Sequence, residues 1–141
     1  MNQIDEINSL LSQNISLYDQ WARAQGISYN MLAVLYGVSC YEGCTQKMIG
    51  ERWGLPKQTV FSVCRQLKDK GWLDFEQADG DKREKLLHFT TQGRAAAEPI
   101  VDRLKAIETA VIGQVGAAEM ENFINHLQRL NRITAQVIAQ G

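Results

Sequence analysis

The residues of this chain best equipped for chemistry gather between Lys57 and Lys85. In the stretch LPKQTVFSVCRQLKDKGW, Val60, Val63, Cys64 and Leu67 fall at i, i+3, i+4 and i+7, the spacing of one helical face. The opposite face then displays Lys57, Gln58, Phe61, Ser62 and Arg65. An amide, a hydroxyl and two cations on one face can hydrogen-bond base edges and phosphate oxygens. The donors crowd toward the helix start, where the macrodipole also favours anions. Further on, Lys82, Arg83 and Lys85 make a second cationic group, able to reach phosphates or to place a guanidinium in a narrow, electronegative minor groove. Catalysis has no comparable foothold. The chain holds no nucleophile elbow, phosphate loop or zinc-hydrolase motif, so no enzyme is expected. His88, His126 and three cysteines form no Cys-x-x-Cys or His-x-x-x-His pair, and neither a metal nor a cofactor is expected.

The elements that must position these groups are legible on either side. Thr45 is a fitting N-cap for a short helix with Met48 and Ile49 turned inward, and Gly54 is a natural stop. Pro56 suits the first turn of the next helix, which spans 56–70 and ends at Gly71. A short helix, a tight turn and a second helix with a basic outer face predict a helix-turn-helix whose second helix enters a DNA major groove. Leu73 and Phe75 alternate with polar residues, Asp79 and Gly80 supply turn chemistry, and Lys85 to Thr90 reads as a returning strand. These residues predict a β-hairpin wing over 72–90 with Lys82 and Arg83 at its tip.

Helices are expected beyond this centre. Ile4, Ile7, Leu11, Tyr18 and Trp21 recur at helical spacing until Gly26, and Ser28 can cap a crowded apolar segment from Met31 to Val38 that should be buried. Ile100, Leu104, Ile107 and Val111 form one later stripe; Met120, Phe123, Ile124, Leu127, Leu130 and Val137 form another, with a joint expected around Gly113 to Gly116. Pro99 either kinks its helix or marks its first turn. The outer stripes need cover, from one another or from a second copy.

A length of 141 residues fits a single domain over 1–141, and 45% hydrophobic with 22% charged residues excludes disorder as the overall state. Net charge is only −1, so no global basic field announces a polyanionic partner. Its distribution does: residues 45 to 94 carry ten basic against seven acidic side chains, while the flanks are net acidic. No apolar run reaches the roughly 18 residues of a membrane span, so a cytoplasmic protein without membrane contact is expected. The odd, sparse set Cys40, Cys44 and Cys64 fits reduced thiols.

In motif content and helix order the chain resembles the MarR family (multiple antibiotic resistance regulators) over nearly its whole length. LPKQTVFSVCRQLKDKGWL is similar to the family's recognition helix, and DKREKLLHFTTQG to its wing signature, with Asp81, Arg83, Thr90 and Gly93 on the pattern. The resemblance implies a mainly α fold with a small β-hairpin wing. The winged helix-turn-helix would lie within 28–94, and N- and C-terminal dimerisation helices within 1–25 and 95–141 would build a homodimer. By the same resemblance Asp81 supports the wing and Arg83 enters the minor groove. Lys57, Gln58, Thr59, Ser62 and Arg65 face bases or phosphates of double-stranded DNA. Phe61, Ser62 and Phe89 depart from the family's common residues at their positions. Such regulators, commonly repressors on palindromic operators, release DNA when a small aromatic or anionic effector binds. Tyr18, Trp21, Tyr29, Tyr36 and Tyr41 are candidates to line that pocket, and equally ordinary core aromatics. Two alternatives stay open: a redox-responsive regulator using cysteine, and a winged-helix protein-interaction module without DNA binding.

Overall fold

Helix starts are fixed by short polar side chains that take an otherwise unpaired amide. Asn2 accepts from the Asp5 amide at 2.9 Å while Asp5 accepts from the Asn2 amide at 3.2 Å, a reciprocal capping box. Ser28 and Thr45 accept from the amides of Met31 and Met48, each at 3.1 Å. The computed structural model of the chain describes residues 1–77 and 85–141. In chain order its elements are α1 (Gln3–Ala24), α2 (Tyr29–Cys40), α3 (Gln46–Trp53), α4 (Lys57–Asp69), β1 (Leu73–Gln77), β2 (Lys85–Phe89), α5 (Thr91–Val115) and α6 (Ala117–Gln140).

The chain divides into two compact units, residues 1–101 and 102–141. The core of the first is built around α2, where Leu32, Ala33, Val34, Leu35 and Gly37 are all buried. Ile49 of α3 and Val60, Val63, Cys64 and Leu67 of α4 are buried too, with α2, α3 and α4 packed on one another. Each aliphatic chain withdrawn from water in this way contributes about 1.5–3 kcal/mol before entropy is charged against it. Gly54 ends α3 at φ +63°, a left-handed turn that an L side chain rarely adopts, and so lets α4 start in a new direction. The Asp19 carboxylate of α1 accepts from the Tyr29 amide at 3.0 Å and from Arg23 Nε at 2.9 Å, tying α1 to the start of α2. These bonds, the Arg23 bond first, hold the Asp19 carboxyl below its usual range.

The strands pair antiparallel, Leu73 opposite Phe89 and Phe75 opposite Leu87. A contact absent from the sequence reading anchors them. Thr45 forms an antiparallel bridge to Leu86, and the Leu87 amide donates to the Cys44 carbonyl at 2.9 Å. At the other end, the Thr90 hydroxyl donates to the Gly71 carbonyl and accepts the Gly93 amide at 2.9 Å, while the Thr90 amide donates to the Trp72 carbonyl at 3.1 Å. A Cβ on Gly93 would be driven into that same Trp72 carbonyl. Thr90 and Gly93 are thus the clamp that joins hairpin to α5.

In the second unit, Gly116 turns at φ +102° into α6, which has no buried residue. Phe123, Ile124, Ile133, Val137 and Ile138 of α6 are exposed, as are Ile4, Leu11 and Ile15 of α1. One expectation needs correction. Met48 does not turn inward but is 37% exposed, because Ile49 alone takes the inner face of the short α3. The joint expected around Gly113 to Gly116 falls at Gly116, with Gly113 inside α5, since a single helical glycine costs only about 1 kcal/mol. Of the two readings open for Pro99, the structure has it inside α5, beyond the first turn.

Cys44 and Cys64 belong to the core of the first unit and Cys40 is half-buried; all three are free thiols. Burial pushes Cys44 up to about 11 and Cys64 to about 12, Cys64 raised further by Cys44 beside it. A thiol held protonated is a poor nucleophile and a poor oxidant target, which weighs against a redox switch at these two positions.

Gly93→Ala should lower unfolding stability by about 2–3 kcal/mol in urea melts, as overpacking against backbone does; an unchanged midpoint would contradict the clamp. With a disulfide exchange reagent at neutral pH, the native protein should release Cys40 rapidly and Cys44 and Cys64 only on unfolding. Because folding raises these two thiols above their unfolded value near 9, their contribution to stability is complete below it and lost as pH rises toward 11 and 12. In a Cys40→Ser variant, which leaves only the two buried thiols, thiolate absorbance that appears in the folded protein below pH 9 would contradict this.

Candidate nucleic-acid interface

The surface with the clearest chemical character is the outer face of α4. Four buried positions fix its rotation: Val60, Val63, Cys64 and Leu67 are at most 7% exposed. A helix locked by that stripe must turn the residues between outward. Lys57, Gln58, Ser62 and Arg65 are all exposed, and Thr59 is half-buried at the margin of the face. Pro56 is the N-cap and offers no side-chain hydrogen bond, so the opening amides of α4 have no acceptor from their own cap. Phe61 stands on this polar face with 41% of its surface exposed.

The hairpin extends the cationic surface. Phe75 of β1 lies beneath two ammonium groups, Lys68 Nζ at 4.9 Å and Lys85 Nζ at 5.5 Å from its ring centre. Together with Phe61, Arg65 and Asp69 these residues line an open hollow of about 260 Å³ between α4 and the hairpin. The ring holds both lysines by cation–π attraction without neutralising them, as a carboxylate would. Asp81, Lys82 and Arg83, expected at the wing, lie outside the described residues.

Of the five tyrosine and tryptophan positions considered for an effector, four are distributed over α1 and α2 and the fifth, Tyr41, caps the end of α2. Tyr18, Trp21, Tyr29 and Tyr36 are half-buried, and burial pushes the Tyr29 phenol up. Tyr36 packs edge-on against Trp53 at 5.9 Å, and Trp53 in turn against Tyr41 at 6.2 Å. Arg52 donates to the Tyr41 hydroxyl at 2.9 Å and lies 5.2 Å from its ring centre. This cluster joins the ends of α2 and α3.

Sequence reasoning missed Lys68, which follows the buried stripe by one residue and gains its place from Phe75. It also missed Trp53, whose rings-at-a-distance role had only its residue type as a signal.

Comparison with known proteins places this geometry. The model of the MarR family matches residues 25–84, which include α2, α3, α4 and β1. The structure of NMB1585, a MarR family regulator from Neisseria meningitidis, superimposes with a TM-score of 0.89 at 31% identity over 99% of both chains. An uncharacterized HTH-type transcriptional regulator of Bacillus subtilis, YwoH, is 28% identical over 74% of this chain and 75% of its own. At 19% identity, S. aureus MepR, solved as a complex with DNA, shares the fold with a TM-score of 0.72 over 94% of this chain and 98% of that one. No helix among the described residues is long and apolar enough to cross a membrane. With a winged helix-turn-helix matched along its full length at this identity, the chain belongs to the MarR family of transcriptional regulators.

Proposed function

We propose that this regulator is a repressor that binds a near-palindromic duplex operator as a homodimer and releases it when a small aromatic or anionic effector binds. The observation that carries the reading is the division of α4, with its apolar stripe buried and Lys57, Gln58, Ser62 and Arg65 exposed. A helix so placed can lie in the major groove with Thr59 at its margin, while Lys68 and Lys85 meet the adjoining phosphates. Lys82 and Arg83 take the minor-groove side, with Asp81 supporting the wing. That MepR, of the same fold, was solved as a DNA complex supports this use of the surface.

Dimerisation answers the exposed apolar residues. Ile4, Leu11 and Ile15 on α1, and Phe123, Ile124, Val137 and Ile138 on α6, are exposed hydrocarbon of the kind that marks an interaction surface, which supports this reading. A two-fold partner covers them and spaces two α4 helices by about one turn of DNA, ~34 Å. For the effector, Tyr18, Trp21, Tyr29 and Tyr36 supply half-buried rings beside the helix-turn-helix. The effector must bind the form that cannot span both grooves better than the form that can, since only differential affinity shifts the balance.

Affinity for duplex DNA, read by fluorescence anisotropy, should fall by roughly 10³–10⁵ between about 50 and 200 mM salt if six to ten phosphates are contacted. Arg65→Ala should weaken binding by about 10- to 100-fold with an unchanged melting temperature. Arg83→Ala should do the same through the wing. Binding insensitive to salt would favour a protein-docking module, and unaltered affinity in both variants would refute the assigned surface.

A further inference from the structure

On the exposed face of α4, Phe61 is the apolar exception. Lys57 and Gln58 stand one turn before it, Ser62 beside it and Arg65 one turn after. The helix does not need the ring for its core, because Val60, Val63, Cys64 and Leu67 already fill the inner face. Nor is it the ring that positions lysines: Phe75 does that, from below. Phe61 therefore keeps 41% of its surface in water at the centre of a row of donors. Exposed aromatic area of this kind costs free energy that only an apolar partner recovers.

Charge decides which partner. An apolar protein surface seated on Phe61 would have to strip water from Lys57 and Arg65 without pairing them, and a dry interface penalises an unpaired ion heavily. Duplex DNA pairs both with phosphates and also carries an apolar group at the right depth. In the major groove, the single hydrocarbon group that a base pair presents is the 5-methyl of thymine. We infer that Phe61 is a specificity-determining residue that reads a thymine methyl, so that each half of the operator contains a T opposite this ring. The inference rests on the DNA-binding reading above and adds to it a base identity at one position.

The test separates the two. A random duplex pool is selected with the wild-type protein, and each T of the enriched sequence is then replaced in turn by deoxyuridine, which lacks only the methyl. At one position per half-site, wild-type affinity should fall about fourfold, the worth of one buried methyl. With Phe61→Ala the same replacement should cost nothing, and Phe61→Leu should retain part of the effect. Should Phe61→Ala fail to fold, Phe61→Leu carries the comparison, and a methyl effect as large in it as in the wild type would overturn the role of Phe61. Wild-type protein indifferent to every methyl, or a methyl effect that survives Phe61→Ala, would overturn the role of Phe61 and leave DNA binding intact. Failure to enrich any sequence, with no salt-dependent binding, would instead overturn the DNA-binding reading and this inference with it.

Discussion

The constraint on which the molecule depends is the rotational phase of α4. An isolated helix of 13 residues is marginal in water and has no preferred side. Burial of Val60, Val63, Cys64 and Leu67 removes that freedom, because any other rotation would place Lys57 or Arg65 in the core and Leu67 in water. Stability and the exposure of the polar, cationic face are therefore coupled on one helix. The same four side chains that hold α4 to α2 aim the opposite face outward.

A second layer of constraint ties the hairpin to that helix. The Thr45–Leu86 bridge and the bond from the Leu87 amide to the Cys44 carbonyl fasten β2 just ahead of α3. Thr90 and Gly93 fasten its far end to Gly71 and Trp72, immediately after α4. The hairpin is thus referenced to both helices of the helix-turn-helix. Phe75 adds a tie of its own by holding Lys68 and Lys85 over one ring.

Much of this was readable in the residues, where the physics is local. Asn-, Ser- and Thr-type caps, a left-handed glycine stop and the i, i+3, i+4, i+7 stripe each act within one or two turns, and Ser28, Thr45, Gly54 and the α4 face follow from them. What was not readable is set between distant segments. The pairing of Thr45 with Leu86 depends on strand register, which composition does not encode. Met48 and Ile49 are both apolar neighbours on a helix too short to bury two faces, and only packing against α2 and α4 chooses Ile49. Of the glycines from Gly113 to Gly116, the sequence alone does not say which turns the chain; Gly113 continues the long α5 and Gly116 takes the left-handed turn. The MarR resemblance made sense of Thr90 and Gly93 as a signature; their close approach to Gly71 and Trp72 supplies the mechanical reason.

Amide chemical shifts of the labelled protein, followed as duplex DNA is added at low salt, test the orientation of α4 most directly. The account predicts perturbations that are largest from Lys57 to Arg65 and extend to Lys68 and Lys85, while the amides of α6 shift least. Shifts confined to other helices, with those of α4 unmoved at saturation, would contradict it.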